Sequence, residues 1–263
     1  MTWVVFQRNV SNACECNKFM KFKKYIFFGL FQFFICAPLV ASSSAPTGIS
    51  FNVMRVIYPQ SAKGGVTFTI NNNSDQPYLV QSLVRPVDYQ TGDVDLKQHK
   101  PTPFIMTPPL ARFDSRSQMT LRIRRAGGEL PDDRESVFFL SVKAIPAQQK
   151  EPLPGRMAVT VVSNIKLFWR PKALAERAVA DVADQIRFRR EGNMLIASNP
   201  TPYWLTFSSL KVGNVALDKP ALRMMVPPKG QQRYLLPSAA SGKVEWQLIE
   251  EDGWNTPPAY QDL

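Results

Sequence analysis

From residue 49 onward the chain alternates apolar and polar positions in short runs. In GISFNVMRVIYP, Ile49, Phe51, Val53 and Ile57 share one parity, the period of two expected of a half-buried strand. VTFTI (Val66–Ile70) follows the turn-like Lys63-Gly64-Gly65, and YLVQSLV (Tyr78–Val84) follows the turn cluster NNNSDQP. FIMT (Phe104–Thr107), MTLRIR (Met119–Arg124), SVFFLSVKAI (Ser136–Ile145) and RMAVTVVSNIKLFW (Arg156–Trp169) read the same way. Seven short strands between Asn, Asp, Gly and Pro clusters predict an antiparallel sandwich. Thr107-Pro108-Pro109 suits a sharp bend, and a cis bond would fit there.

Two charges and one strand break the pattern. Arg55 falls on the parity of Ile49, Phe51, Val53 and Ile57, and a guanidinium on an apolar face must find an anion or reach water. Lys166 lies between Ile165 and Leu167. A lone lysine in a strand can also snorkel to solvent. The run Arg156–Trp169 is far longer than the usual strand of ~5–6 residues. Met157, Val159 and Val161 share one face, and Arg156, Ala158 and Thr160 the other. Such a strand is either an ordinary central strand or an exposed edge that invites another chain to pair with it.

Arg170-Pro171 ends this pattern. Ala173–Gln185 has helical composition and reads as a linker with one helical turn. Strands resume at IRFRR, MLIAS, YWLTFSSL, LRMMV, QRYLL and VEWQLI, ending near Ile249. Asn73…Pro77-Tyr78 and Asn199…Pro202-Tyr203 echo one another, as two sandwiches of one kind would.

The first forty-five residues are different. Lys21, Lys23 and Lys24 precede the apolar run Tyr25–Val40, and small residues follow at Ala41–Ala45. This is the order of a cleaved secretory signal, with Met20 as an alternative start. Gln32 and Pro38 interrupt a run too short for the ~20 residues of a membrane span. Cys14, Cys16 and Cys36 all lie in this leader, so the exported chain is expected to be disulfide-free and to rely on core packing. Losing Arg8, Lys18, Lys21, Lys23, Lys24 and Glu15 with the leader takes the net charge from +11 to +7. No Arg/Lys run carries interleaved aromatics, so nucleic acid is not an expected partner. With 263 residues, 44% hydrophobic and 11% aromatic, the chain can bury two cores.

The pattern offers little to catalysis. His99, the one histidine, sits in the polar stretch DLKQHKPTP, without a partner for a nucleophile system. Neither a phosphate loop nor the ligand spacing of a metal site is present. Asp132-Asp133 and Glu250-Glu251-Asp252 read as surface turns rather than as a glycosidase pair. No enzyme, cofactor, metal or small-molecule substrate is expected.

Three segments carry a more specific signal. LPDDRESVFFLSVKAIPA (Leu130–Ala147), NIKLFWRP (Asn164–Pro171) and NPTPYWLTF (Asn199–Phe207) together resemble the periplasmic chaperones of chaperone–usher pilus systems, in family order and spacing. The resemblance runs from about Gly48 to the C-terminus. It implies an all-β protein of two immunoglobulin-like β-sandwich domains in a boomerang arrangement. It implies a periplasmic chaperone that binds pilus subunits by donor-strand complementation and delivers them to an outer-membrane usher, with a self-capping homodimer as a further partner state. By the same resemblance, Arg55 and Lys166 anchor the subunit's C-terminal carboxylate, and Met157, Val159 and Val161 are the donor-strand residues. Glu135, Arg170 and Asp252 match a structural salt-bridge network.

The domain bounds implied are a signal region at 1–45, a first domain at 46–171, a linker at 172–185 and a second domain at 186–263. Ser141 and Ala147 depart from the family pattern, which has Asn and a second Pro there. The short, cysteine-free stretch from Pro146 to Gly155 is similar to the short-loop subclass. The competing class is an exported two-domain β-sandwich adhesin or carbohydrate-binding protein, which would present an aromatic platform and need no protein client.

Overall fold

The computed structural model describes residues 48–263 except 96, 98–100, 148–158, 175–176 and 238–239. The leader with its three cysteines, His99, Arg156 and Met157 lie outside the described residues.

Alternation along the first half produces two facing sheets. One has the order β1 (Ile49–Phe51), β3 (Val66–Asn72), β7 (Gln118–Arg125), β5 (Phe104–Thr107), all antiparallel. The other has the order β2 (Arg55–Pro59), β9 (Val161–Arg170), β8 (Ser136–Pro146), β4 (Tyr78–Pro86), β6 (Leu110–Phe113). Here β2 runs parallel to β9, and the other pairs are antiparallel. Between the sheets lie Tyr58, Phe68, Ile70, Phe113, Leu121, Ile123, Leu140 and Leu167, each at most 2% exposed. Each such side chain is worth roughly 1.5–3 kcal/mol when fully buried. The bend at Thr107-Pro108 carries a cis peptide bond.

The first strand departs from the sequence reading. Residues Ile49–Ile57 do not form one strand with one apolar face: the chain leaves the first sheet after Phe51, bends through Asn52–Met54, and enters the second sheet at Arg55. Ile49, Phe51 and Val53 pack on the first core, whereas Ile57 packs in a separate apolar cluster on the far face of the second sheet. A strand that switches sheets also switches the meaning of its parity, so Arg55 faces away from the core.

The second half repeats the architecture on a smaller scale. β10 (Arg187–Glu191), β11 (Met194–Asn199) and β14 (Gly230–Leu235) form one sheet. β13 (Val215–Ala216), β12 (Phe207–Val212), β15 (Val244–Leu248) and β16 (Ala259–Gln261) form the other. Trp246, Tyr234, Phe207 and Leu195 fill the space between them. The stretch read as a linker holds the short helix α1 (Val179–Val182), and its Ala178, Val179 and Ala183 are buried in this second core. LRMMV is not a strand: α2 (Lys219–Arg223) takes its first residues, and Val226 makes one isolated bridge to Leu205. Asp218 caps α2 by accepting from the Ala221 N–H at 2.9 Å, and Pro220 suits the first helical turn, so start signals outweigh the apolar run.

The internal echo is real but shifted by one residue. Asn72 and Asn199, both buried, end β3 and β11. Each Oδ1 accepts from the N–H and hydroxyl of the residue two along, Ser74 or Thr201. Each Nδ2 donates to the carbonyl four along, Gln76 or Tyr203. One amide side chain thus replaces the lost ladder at the same corner of both sandwiches.

Candidate functional site: a basic cleft beside an open strand edge

The second sheet of the first half is buried on both faces at its C-terminal end. Its outer face carries Val137, Phe139 and Phe168, which meet Trp204 and Met225 of the second half. Arg55 and Lys166 lie beside this cluster. Parallel pairing puts Arg55 level with Lys166, and antiparallel pairing puts Phe139 level with Lys166 on the other side. Register alone therefore sets the two cations next to each other on one face.

Their surroundings differ from those of ordinary surface charges. Arg55 is 8% exposed, and its Nη1 donates to the Ile249 carbonyl at 2.8 Å. Its guanidinium stands 5.4 Å from the centre of the Phe168 ring. Burial lowers its pKa to about 10, so it remains cationic at neutral pH. Lys166 is half-buried and makes no hydrogen bond or ion pair among the described residues. Burial first, and the like charge of Arg55 second, lower its pKa to about 7. Two adjacent, partly desolvated cations, one of them unpaired, form a site that gains most from an arriving anion. A carboxylate fits it by accepting from both.

A second group of charges closes the junction between the two halves. Arg170, the last residue of β9, is 1% exposed. Its Nε donates to Glu135 Oε1 at 2.6 Å and its Nη2 to Glu251 Oε1 at 2.7 Å. Glu251 Oε1 also accepts from the Ala178 and Val179 N–H groups at 3.1 and 3.2 Å. Glu135 Oε2 accepts from the Trp204 N–H at 2.8 Å, while the Trp204 indole donates to the Glu135 carbonyl at 3.1 Å. The Arg170 guanidinium lies 4.9 Å over the Tyr203 ring.

The expected third member was Asp252, and this is corrected: Glu251 holds the place. Asp252 pairs instead with Arg177 at the surface. The cause is a tight turn in which the Gly253 N–H donates to the Glu250 carbonyl at 2.9 Å. Neighbouring side chains in a turn diverge, and a run of three acids gives no period by which to tell which one points inward. Trp204 was likewise missed, although it follows Tyr203 in a segment that was singled out.

The long strand resolves into two unlike halves. From Lys166 to Arg170, β9 has β2 on one side and β8 on the other. From Val161 to Ile165 it pairs with β8 alone, and the opposite edge has no partner among the described strands. The central-strand and edge-strand readings thus each hold for one half. Val159 and Val161 are 63% and 51% exposed. They share the parity of Ile165 and Leu167, which are 6% and 0% exposed. This row therefore leaves its own core at Ile165, passes Ser163, and ends in solvent at Val161 and at Val159, which precedes the strand. Ser141, paired with Asn164, donates its hydroxyl to the Asn164 Oδ1 at 2.5 Å.

Comparison with known proteins accounts for nearly all of the described chain. Residues 48–175 match the pili and flagellar-assembly chaperone family, PapD N-terminal domain, and residues 181–260 match the pili assembly chaperone PapD, C-terminal domain. The chain is 37% identical over 221 residues to the chaperone protein FimC of Escherichia coli O6:H1, covering 83% of this chain and 86% of that protein. Among solved structures it is similar to the E. coli chaperone DraB, with TM-score 0.69 and 36% identity over 82% of this chain and 99% of that one. It is also similar to the structure of the Salmonella enterica SafA pilin in complex with the SafB chaperone, with TM-score 0.70 and 30% identity, covering 84% and 99%.

Proposed function

The chain belongs to the pili assembly chaperone family, and from that premise we propose that it captures pilus subunits in the periplasm and hands them to an outer-membrane usher. The observation that carries this reading is the adjacency of two things on one strand: an open edge with an exposed valine stripe, and a pair of desolvated cations at its end.

The physics needs no covalent step. A subunit that lacks one strand of its sandwich has an open core and unpaired backbone groups, and in that state it aggregates. The Val161–Ile165 edge supplies the missing ladder. Val159 and Val161, exposed in the free chaperone, fill the subunit's open core and leave water on binding. Met157, two positions ahead in the sequence, is the next residue of that row. A client strand laid along this edge in line with β2 ends where Arg55 begins, so its C-terminal carboxylate arrives at Arg55 and Lys166. The anchor fixes register: with the terminus held, each client side chain has one slot along β9, and a slip of one residue would turn the whole row away from the core.

The Glu135–Arg170–Glu251 cluster has a supporting role, keeping the second domain docked beside the cleft. Co-expression with candidate subunits tests the proposal. Wild-type chaperone should co-purify with a subunit from periplasm, and Arg55→Ala and Lys166→Ala should not. Free subunit recovered equally well without the chaperone would refute it.

A further inference from the structure

The turn that follows β15 reaches the first domain with every second residue. Its frame is hydrogen-bonded: Ile249 bridges Asn255, and the Ile249 N–H donates to the Thr206 carbonyl at 2.9 Å. Within the turn the Glu250 N–H donates to the Trp254 carbonyl and the Gly253 N–H to the Glu250 carbonyl, both at 2.9 Å. Three contacts then cross the junction. The Ile249 carbonyl accepts from Arg55 Nη1 at 2.8 Å. Glu251 Oε1 accepts from Arg170 Nη2 at 2.7 Å. Gly253, with φ of +87°, packs against Met54, the residue before Arg55, and a Cβ there would lie 3.3 Å from the Met54 Cβ. Ile249, Glu251 and Gly253 thus dock one turn on Arg55, Arg170 and Met54.

The Arg55 guanidinium is held from two sides. Phe168 lies 5.4 Å from it within its own domain, and the Ile249 carbonyl takes one Nη1 N–H from the other domain. An arginine carries five N–H donors in one plane, so one fixed bond and one ring face set the direction of the remaining four. Those four make no hydrogen bond among the described residues. The nearby carboxylates of Glu135 and Glu251 are taken up by Arg170 and by main-chain N–H groups. The four free donors are therefore left for a client. Lys166 has no such hold, and its ammonium turns on a flexible stem. The two cations are unequal: Arg55 supplies a set direction, and Lys166 supplies charge. A side chain ordered in advance costs less to order on binding. Other contacts across the junction do not involve Arg55. The Tyr89 ring stacks on Trp204 with centroids 5.0 Å apart, Gly92 packs on the Arg223 carbonyl, and Asp93 Oδ1 stands 3.6 Å from Arg223 Nη1.

Resting on the reading that this cleft takes a client's carboxylate, we propose that Ile249 is a positioning residue: its main-chain carbonyl aims the Arg55 guanidinium, so that the second domain sets the direction of an anchor carried by the first. Glu251 and Gly253 hold the turn at the distance this bond requires.

Guanidinium proton exchange, followed by NMR in the free chaperone, tests this without a client, so failure of the capture reading does not decide it. The Arg55 signals are assigned by their loss in Arg55→Lys. In wild type the Arg55 Nη1 protons should exchange about tenfold more slowly, or slower still, than those of exposed Arg124. Glu251→Ala frees the turn from Arg170, and Gly253→Val drives it off Met54. In each, Arg55 exchange should rise by about tenfold or more. Tyr89→Ala loosens the junction elsewhere, and Asp252→Ala alters the same turn only at its exposed pair with Arg177. In these two, Arg55 exchange should stay within about twofold of wild type. Fast Arg55 exchange in wild type, unchanged exchange in either folded turn variant, or an equal rise in Tyr89→Ala overturns the proposal. Should both turn variants fail to fold, the wild-type rate decides.

Discussion

Arg170→Ala removes the centre of the junction and leaves two buried carboxylates facing each other. Glu135 would keep the Trp204 N–H, and Glu251 would keep the Ala178 and Val179 N–H groups, but each would lose its ion pair. Removing one partner of a buried ion pair typically costs about 3–5 kcal/mol. Glu251→Ala should be somewhat milder, about 2–4 kcal/mol, because Arg170 keeps Glu135 while two buried N–H groups lose an acceptor. Asp252→Ala breaks only an exposed pair with Arg177, and such pairs are worth about 0–1 kcal/mol. At about 2–4 °C per kcal/mol for a chain of this size, Arg170→Ala should melt about 6–20 °C below wild type and Asp252→Ala within about 4 °C of it. Urea unfolding followed by circular dichroism, with subunit capture measured at a temperature where all variants are folded, gives the order. Equal losses for Glu251→Ala and Asp252→Ala, or a larger loss for Asp252→Ala, would refute the assignment of Glu251 to the junction.

Other outcomes follow from the cleft and the edge. Arg55→Ala and Lys166→Ala should fold normally and lose about 2–5 kcal/mol of client affinity, thirtyfold to several-thousandfold, by equilibrium binding. With the free Lys166 pKa near 7 and a bound carboxylate raising it, client binding takes up a proton above that pH. Affinity should be level below pH 7 and fall by up to tenfold per unit above it, whereas Lys166→Arg should stay flat. The same residue makes the opposite contribution to stability. Its folded pKa lies below the unfolded value of ~10.4, so the unfolded chain binds the extra proton and its contribution to stability rises between pH 7 and 10. Val159→Asp should leave the melt of the free chaperone unchanged, because Val159 is 63% exposed, yet abolish client retention by stranding a charge in the client's core. Thr160→Asp, on the opposite parity, should be milder in a subunit pull-down.

Much of this was legible in the residues. Alternation located most strands of both sandwiches, and the segments Leu130–Ala147 and Asn164–Pro171 pointed to the family before any geometry was known. The misreadings share a cause. Arg55 sits on the parity of Ile49 and Phe51, but the bend at Asn52–Met54 moves the strand to another sheet, and period two cannot register a change of partner. Leu222–Val226 looked like a strand because local apolarity was weighed without the Asp218 cap and Pro220. Glu251 and Asp252 differ only in where a turn points them. The contacts of Tyr89, Gly92 and Asp93 leave no local signal, because their partners Trp204 and Arg223 lie more than a hundred positions away.

The central claim is that the Val159–Ile165 edge of this chain becomes an interior strand of its client. Amide hydrogen exchange of the chaperone, free and in complex with a co-purified subunit, measures this directly. In the free protein the amides facing the open edge should exchange freely while those paired with β8 are protected. In the complex the edge amides from Val159 to Ile165 should become protected, with those of the Arg187–Glu191 strand in the second domain unchanged. A stable complex in which the Val159–Ile165 amides exchange as fast as in free chaperone would contradict the account.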